Sequence, residues 1–135
     1  MYTYEVKIRV RYAETDKMGY LYYGNYATYF EVARVESLRN LGIVYKELED
    51  RGILLPVLNY QTKFIKPAFY DEELTIKTMI PEIPGARIHF DYEVYNAQNE
   101  LINVASTTLV FLNQKTGKPS VIPDDVLEKL LPYYN

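Results

Sequence analysis

Between Tyr4 and Val10 the chain alternates, with Tyr4, Val6, Ile8 and Val10 apolar and Glu5, Lys7 and Arg9 charged. A period of two marks a strand with one buried face, so the chain is expected to open on a β-strand. The segment Ala13 to Gly24 has no clean period and carries Glu14, Thr15, Asp16, Gly19 and Gly24, which reads as a loop. At Asn25 the spacing becomes helical. Tyr26, Tyr29, Phe30, Ala33, Ser37, Leu38 and Leu41 fall at i, i+3, i+4, i+7, while Glu36, Arg39 and Asn40 take much of the other side. Asn25 suits an N-cap and Gly42 a helix stop, and the small residues Ala33 and Ser37 would let this helix lie close to a sheet.

A shorter helix is expected over 44–51, stopping at Gly52, and the rest reads mostly as strand. Ile53 to Lys66 is apolar and partly β-branched, with Pro56 signalling a bulge or an edge near its start. Lys66-Pro67 through Asp71 forms a turn. Leu74, Ile76, Thr78 and Ile80 then alternate with Thr75, Lys77 and Met79, and Pro81 to Gly85 breaks the pattern. Ile88, Phe90, Tyr92 and Val94 alternate with Arg87, His89, Asp91 and Glu93, and a turn at Asn96 to Glu100 leads into a strand over 101–112. Pro123-Asp124-Asp125 opens a terminal helix, with proline at its first position and acids in its first turn. Strand, long helix, four strands and a short helix fit an α+β class, a curved antiparallel sheet wrapped around one long central helix. At 135 residues, the chain is expected to form a single domain over 1–135.

Composition narrows the chemistry. With no cysteine there is no disulfide, thiolate zinc site or cysteine nucleophile, and one histidine, His89, leaves no multi-histidine metal cluster. No metal or cofactor is expected, and hydrolytic chemistry falls to carboxylates. His89 itself reads as a surface or cross-strand residue. The net charge of −3 is scattered, which disfavours nucleic acid as a partner. The N-terminal ten residues lack the form of a signal peptide and no stretch approaches about 20 apolar residues, so a cytoplasmic protein away from membranes is expected. Tyrosine is in excess, fifteen in all, and Tyr20, Tyr22, Tyr23, Tyr26 and Tyr29 fall within ten residues. Tyr26 and Tyr29 belong to the helix stripe and read as core, whereas Tyr20, Tyr22 and Tyr23 read as a wall beside Asp16.

Asp16 is a carboxylate between a strand and a helix, a place from which it can face a cleft as nucleophile or general base. The same position also suits a plain turn residue. The helix start beyond it offers unpaired N–H groups, and those near Tyr23 and Gly24 could hold an oxyanion, a contribution worth roughly 2.7–4 kcal/mol per donor in other enzymes. Gly24 would let a carbonyl approach the backbone without a Cβ in the way.

The run Arg11-Tyr12-Ala13-Glu14-Thr15-Asp16-Lys17-Met18-Gly19-Tyr20-Leu21-Tyr22-Tyr23-Gly24-Asn25-Tyr26, followed by Tyr29-Phe30-Glu31 and Arg34, resembles the signature of hot-dog-fold acyl-CoA thioesterases of the 4-hydroxybenzoyl-CoA thioesterase-like family. Lys66-Pro67-Ala68 with Asp71-Glu72-Glu73-Leu74 resembles that family's second recurring stretch. The resemblance implies a hot-dog fold, hydrolysis of an acyl-CoA by Asp16, and a homodimer with sites at its interface, often doubled to a homotetramer. It places Tyr23 at a His-or-Tyr position and Glu31 where hydroxybenzoyl-specific members carry an acid facing the ring, although an i, i+3 pair with Arg34 also explains Glu31. Leu55 stands where those members have a small polar residue, which favours an aliphatic acyl chain. Asn25 is a substrate-contact candidate, and Lys63, Lys66 and Arg87 are candidates for the coenzyme A phosphates. The competing readings are an acyl-carrier-protein thioesterase, a hot-dog dehydratase, disfavoured by the lack of histidine near the helix, and a binding module without turnover. An uncovered sheet edge independently suggests a dimer joined edge to edge.

Overall fold

The computed structural model describes residues 1–135, and its elements follow the expected order. The main sheet holds β1 (Tyr2–Arg9), β3 (Val57–Phe64), β4 (Glu73–Ile80), β5 (Arg87–Tyr95) and β6 (Leu101–Val110) in the spatial order β1-β4-β5-β6-β3, every pair antiparallel. Its concave face is lined by the residues picked out by alternation. Leu74, Ile76, Thr78 and Ile80 of β4 and Ile88, Phe90, Tyr92 and Val94 of β5 are all buried.

Against this face lies α1 (Asn25–Asn40), which presents Tyr26, Tyr29, Phe30, Ala33, Ser37 and Leu38 to the sheet. Phe30 stacks on Tyr92 at 4.5 Å, and burying a side chain of that kind contributes about 1.5–3 kcal/mol. Ala33 and Ser37 are fully buried, and the Tyr2 hydroxyl reaches past them to the Ser37 carbonyl at 2.6 Å, so the small residues do bring helix and sheet together. Gly42 stops the helix in the left-handed region at φ 81°. The result is the hot-dog arrangement, a curved antiparallel sheet around one central helix.

Several details differ from expectation. Gly24, not Asn25, is the N-cap of α1, and the Asn25 amide instead donates to the Glu14 carbonyl at 2.8 Å. Pro123 likewise sits at the N-cap of α3 (Asp124–Leu130) rather than inside it. The stretch from Ile53 is two strands. Pro56 separates β2 (Ile53–Leu54), which pairs with β7 (Leu112–Asn113) in a small second sheet, from β3, whose register shifts between Val57 and Asn59. Arg34 makes no ion pair with Glu31. It is 6% exposed on the buried side of α1, and its Nη1 donates to the Tyr92 hydroxyl at 3.1 Å. Burial pulls the guanidinium pKa down, but the phenols of Tyr92 and Tyr45 turn the balance upward, so Arg34 keeps its charge. The short α2 (Tyr45–Asp50) packs against β2 and α1 and buries Leu48. No helix is long and apolar enough to cross a membrane.

Candidate active site

The loop before α1 closes on itself. The N–H of Asp16 donates to the Tyr20 carbonyl at 2.8 Å, and that of Tyr22 to the Glu14 carbonyl at 2.9 Å, with a bridge between Thr15 and Leu21. Gly19 makes the reversal possible at φ 81°. Asp16 Oδ1 accepts the N–H groups of Met18 at 2.9 Å and Tyr20 at 3.1 Å. One carboxylate oxygen thus orders the loop, and Oδ2 carries no hydrogen bond within the chain. The turn role falls to one oxygen of the side chain and leaves the other free.

Asp16 faces a cleft of about 280 Å³. Tyr20, Tyr23 and Met18 come from its own loop, Tyr26 from α1, and Phe64, Ile65, Lys66 and Pro67 from the end of β3 and the turn beyond. Tyr26 packs edge-on against Phe64 at 5.4 Å, and Tyr23 meets the same ring at 6.4 Å. Burial first, then the charge of Glu72 and the neighbouring Tyr60, pushes the Tyr26 phenol up to about 12. It lines the cleft as a neutral hydroxyl. Tyr22 does not border the cleft but packs on Tyr23 at 4.5 Å.

At the head of α1 the backbone N–H groups of Tyr23 and Gly24 donate to no acceptor within the chain, whereas the next two, of Asn25 and Tyr26, turn back to the carbonyls of Tyr22 and Tyr23. Two free donors at a helix start are suited to a developing negative oxygen. Lys66, on the cleft rim, is paired with Glu100, which draws the Glu100 pKa down.

Within one chain the other candidates lie elsewhere. Glu31 borders a separate cavity of about 270 Å³ with Arg34, Tyr60 and Thr107. Leu55 lines a small hollow beside Tyr45 and Leu48. Lys63 sits with Gln61, Val104 and Ser106 in a shallow depression, and Arg87 is exposed at the start of β5 opposite Val110. Asn25 is occupied by Glu14, as described. His89 is held between Thr108 and Asp91, at 2.9 Å from each, on the sheet face away from α1. The residue sequence reasoning passed over is Glu14. It is buried to 9% exposure and bonded to Arg11 and to the Tyr29 hydroxyl. The Arg11-x-x-Glu14 spacing, in which an acid three residues on reaches back to the N–H that opens a turn, was the available signal.

A hot-dog sheet around one helix, with a loop carboxylate beside free N–H groups at the helix start, is an arrangement chemically able to act on a carbonyl carbon. Residues 10–130 match the thioesterase-like superfamily, to which the chain belongs, and the chain is a thioester hydrolase. Bacillus subtilis YneP, provisionally named an acyl-CoA thioesterase, is 34% identical over 119 residues, 88% of this chain and 86% of that protein. The acyl-CoA thioester hydrolase YbgC of Escherichia coli is 29% identical over 120 residues, covering 89% of this chain and 90% of YbgC. Among solved structures, the DHNA-CoA thioesterase of Staphylococcus aureus superposes with a TM-score of 0.87 at 38% identity, over 98% of this chain and 86% of that one.

Proposed function

We propose that this chain hydrolyses the thioester of an acyl-CoA to the free acid and coenzyme A, with Asp16 as the reacting carboxylate. The observation that carries the reading is the unbonded Asp16 Oδ2 in a cleft whose neighbouring helix start offers the free N–H groups of Tyr23 and Gly24. Asp16 either attacks the carbonyl carbon itself or takes a proton from the attacking water. In both cases negative charge moves onto the carbonyl oxygen, where the two N–H groups receive it. The C–S bond then breaks and the thiolate leaves, becoming coenzyme A with a proton that comes from the water; where Asp16 has attacked directly, that water cleaves the mixed anhydride, which releases the acid and restores the carboxylate. Met18, Leu21, Ile65 and the rings of Tyr23, Tyr26 and Phe64 give the cleft apolar walls, which supports an aliphatic acyl group. Lys66 on the rim is the one basic candidate positioned to meet a phosphate of the incoming coenzyme.

The reading extends to assembly. Seven of the eight residues of β3, an edge strand, are exposed, Val57, Leu58, Tyr60 and Phe64 among them. The opposite edge, β1, carries Lys7 and Arg9 in ion pairs with Glu73, the kind of charge that discourages pairing. A homodimer joined through β3 follows, alone or doubled into a tetramer.

Thiol release from a panel of acyl-CoA and aryl-CoA thioesters, with wild type and Asp16→Asn in parallel, tests the proposal. Wild type should turn over aliphatic acyl-CoA best, and Asp16→Asn should lose about 10²–10⁴-fold in kcat while staying folded and binding substrate. Unchanged turnover in Asp16→Asn sinks the assignment. Preference for an acyl-carrier-protein donor would move the substrate to that class.

A further inference from the structure

The two halves of the site belong to different pieces of chain. Asp16 is on the self-closed loop, and the N–H donors are at the head of α1. Glu14 touches both. Its Oε1 accepts the Tyr29 hydroxyl of α1 at 2.6 Å and the N–H of Arg11 at 2.9 Å, and its Oε2 accepts the Arg11 guanidinium at 2.8 Å. Its carbonyl accepts the N–H of Tyr22, on the residue just before the donors, and the side-chain amide of Asn25, the first residue of α1. Tyr29 is itself 2% exposed, so its hydroxyl is held against the core and offers the loop a fixed anchor.

These contacts have unequal weight. Arg11 is mostly exposed, and an exposed ion pair at i, i+3 contributes little. The Tyr29 contact joins residues fifteen apart and is buried, charge-assisted and short. It is the link that ties the base of the Asp16 loop to the second turn of the helix. Without it, the loop keeps its internal hydrogen bonds, the Asn25 amide and the bond from the Leu21 N–H to the Ala68 carbonyl, but its base loses its hold on the second turn of the helix.

We infer that Glu14 is a positioning residue for thioester hydrolysis: through Tyr29 and Asn25 it sets the separation between the Asp16 carboxylate and the N–H groups of Tyr23 and Gly24. The inference rests on Asp16 being the reacting group. Attack on a bound carbonyl depends steeply on that separation, because both groups must meet one carbonyl at once, and a misplacement of about 1 Å can lower the rate by about 10²-fold. Substrate affinity, set by the cleft walls and the rim, depends on it much less.

The experiment compares wild type, Tyr29→Phe, Glu14→Gln, the double variant and Asp16→Asn by steady-state thiol release, with circular dichroism to establish folding. Tyr29→Phe keeps the ring in the core and removes only the hydroxyl. The expected result is a fall in kcat of about tenfold in each single variant with KM within about twofold, and a double variant no slower than the slower single one, because both act on the same contact, which Tyr29→Phe removes and Glu14→Gln strips of its charge. A residue that only stabilises the fold would lower the melting temperature and leave kcat of the folded enzyme unchanged. The inference is overturned if Tyr29→Phe keeps kcat within twofold of wild type, or if the losses appear in KM instead. Should Glu14→Gln not fold, Tyr29→Phe decides alone. Turnover retained by Asp16→Asn overturns both this inference and the function it rests on, whereas a dead Asp16→Asn beside a fully active Tyr29→Phe overturns this one only.

Discussion

The ring of Tyr22 lies so close to Gly24 that a Cβ on the glycine would stand 2.8 Å from Tyr22 Cε2. Gly24 has φ −65°, open to any residue, so its lack of a side chain serves this contact rather than an unusual backbone. The expectation that Gly24 clears a path for a substrate carbonyl thus acquires a nearer cause. Adding a methyl group forces the Tyr22 ring aside, and with it Tyr23, on which it packs. Gly24→Ala should therefore slow thiol release, by about tenfold if the N–H donors shift by a fraction of an ångström. In a Tyr22→Ala background the same substitution should cost much less. Equal losses in both backgrounds would show that Tyr22 is not the obstacle.

Acid titration offers a second check. The Arg11 guanidinium and, after it, the Tyr29 hydroxyl hold the Glu14 carboxyl at about 2, below its ordinary 4.5. A folded-state value below the unfolded one adds stability that is complete above the unfolded value and disappears as pH falls through the folded one. The melting temperature of wild type should exceed that of Glu14→Gln at neutral pH, and the gap should close between about pH 5 and about pH 2. A gap that stays constant across that window would mean the Glu14 charge adds nothing to the fold.

The β3 edge yields a third. Leu58 is 52% exposed and lies on the strand whose outer side has no partner in the chain. Leu58→Lys places a charge on each of two meeting edges and should convert a dimer to monomer in sedimentation velocity. Wild type that sediments as a monomer at assay concentration would refute the edge pairing, as would a Leu58→Lys variant that stays dimeric.

The parts of this fold legible in the sequence are those where one face is uniformly apolar. In β4 and β5 every second residue is buried, and in α1 the stripe from Tyr26 to Leu38 meets the sheet as its spacing requires. Arg34 escaped because charge normally marks a solvated face, and only the fold shows that Tyr92 receives it. The split at Pro56 escaped because the partner of β2 lies some sixty residues on, a distance no local pattern reports. Asp16, Tyr23 and Lys66 line one cleft, since the loop, the helix start and the turn after β3 come together there. Lys63 and Arg87 were not, because position along a strand says nothing of which end or face a ligand approaches.

The closed loop that bears Asp16 has a further consequence. Its base, from Glu14 to Tyr22, is secured by backbone pairing, while its tip holds Lys17, Met18 and Gly19, with Met18 reaching the cleft from an exposed position. Reactivity and reach are therefore written on separate parts of one loop. Residue 18 can change in size without disturbing the Asp16 oxygen proposed to react, which makes the tip a place where selection, natural or in the laboratory, can retune the preferred acyl group one side chain at a time.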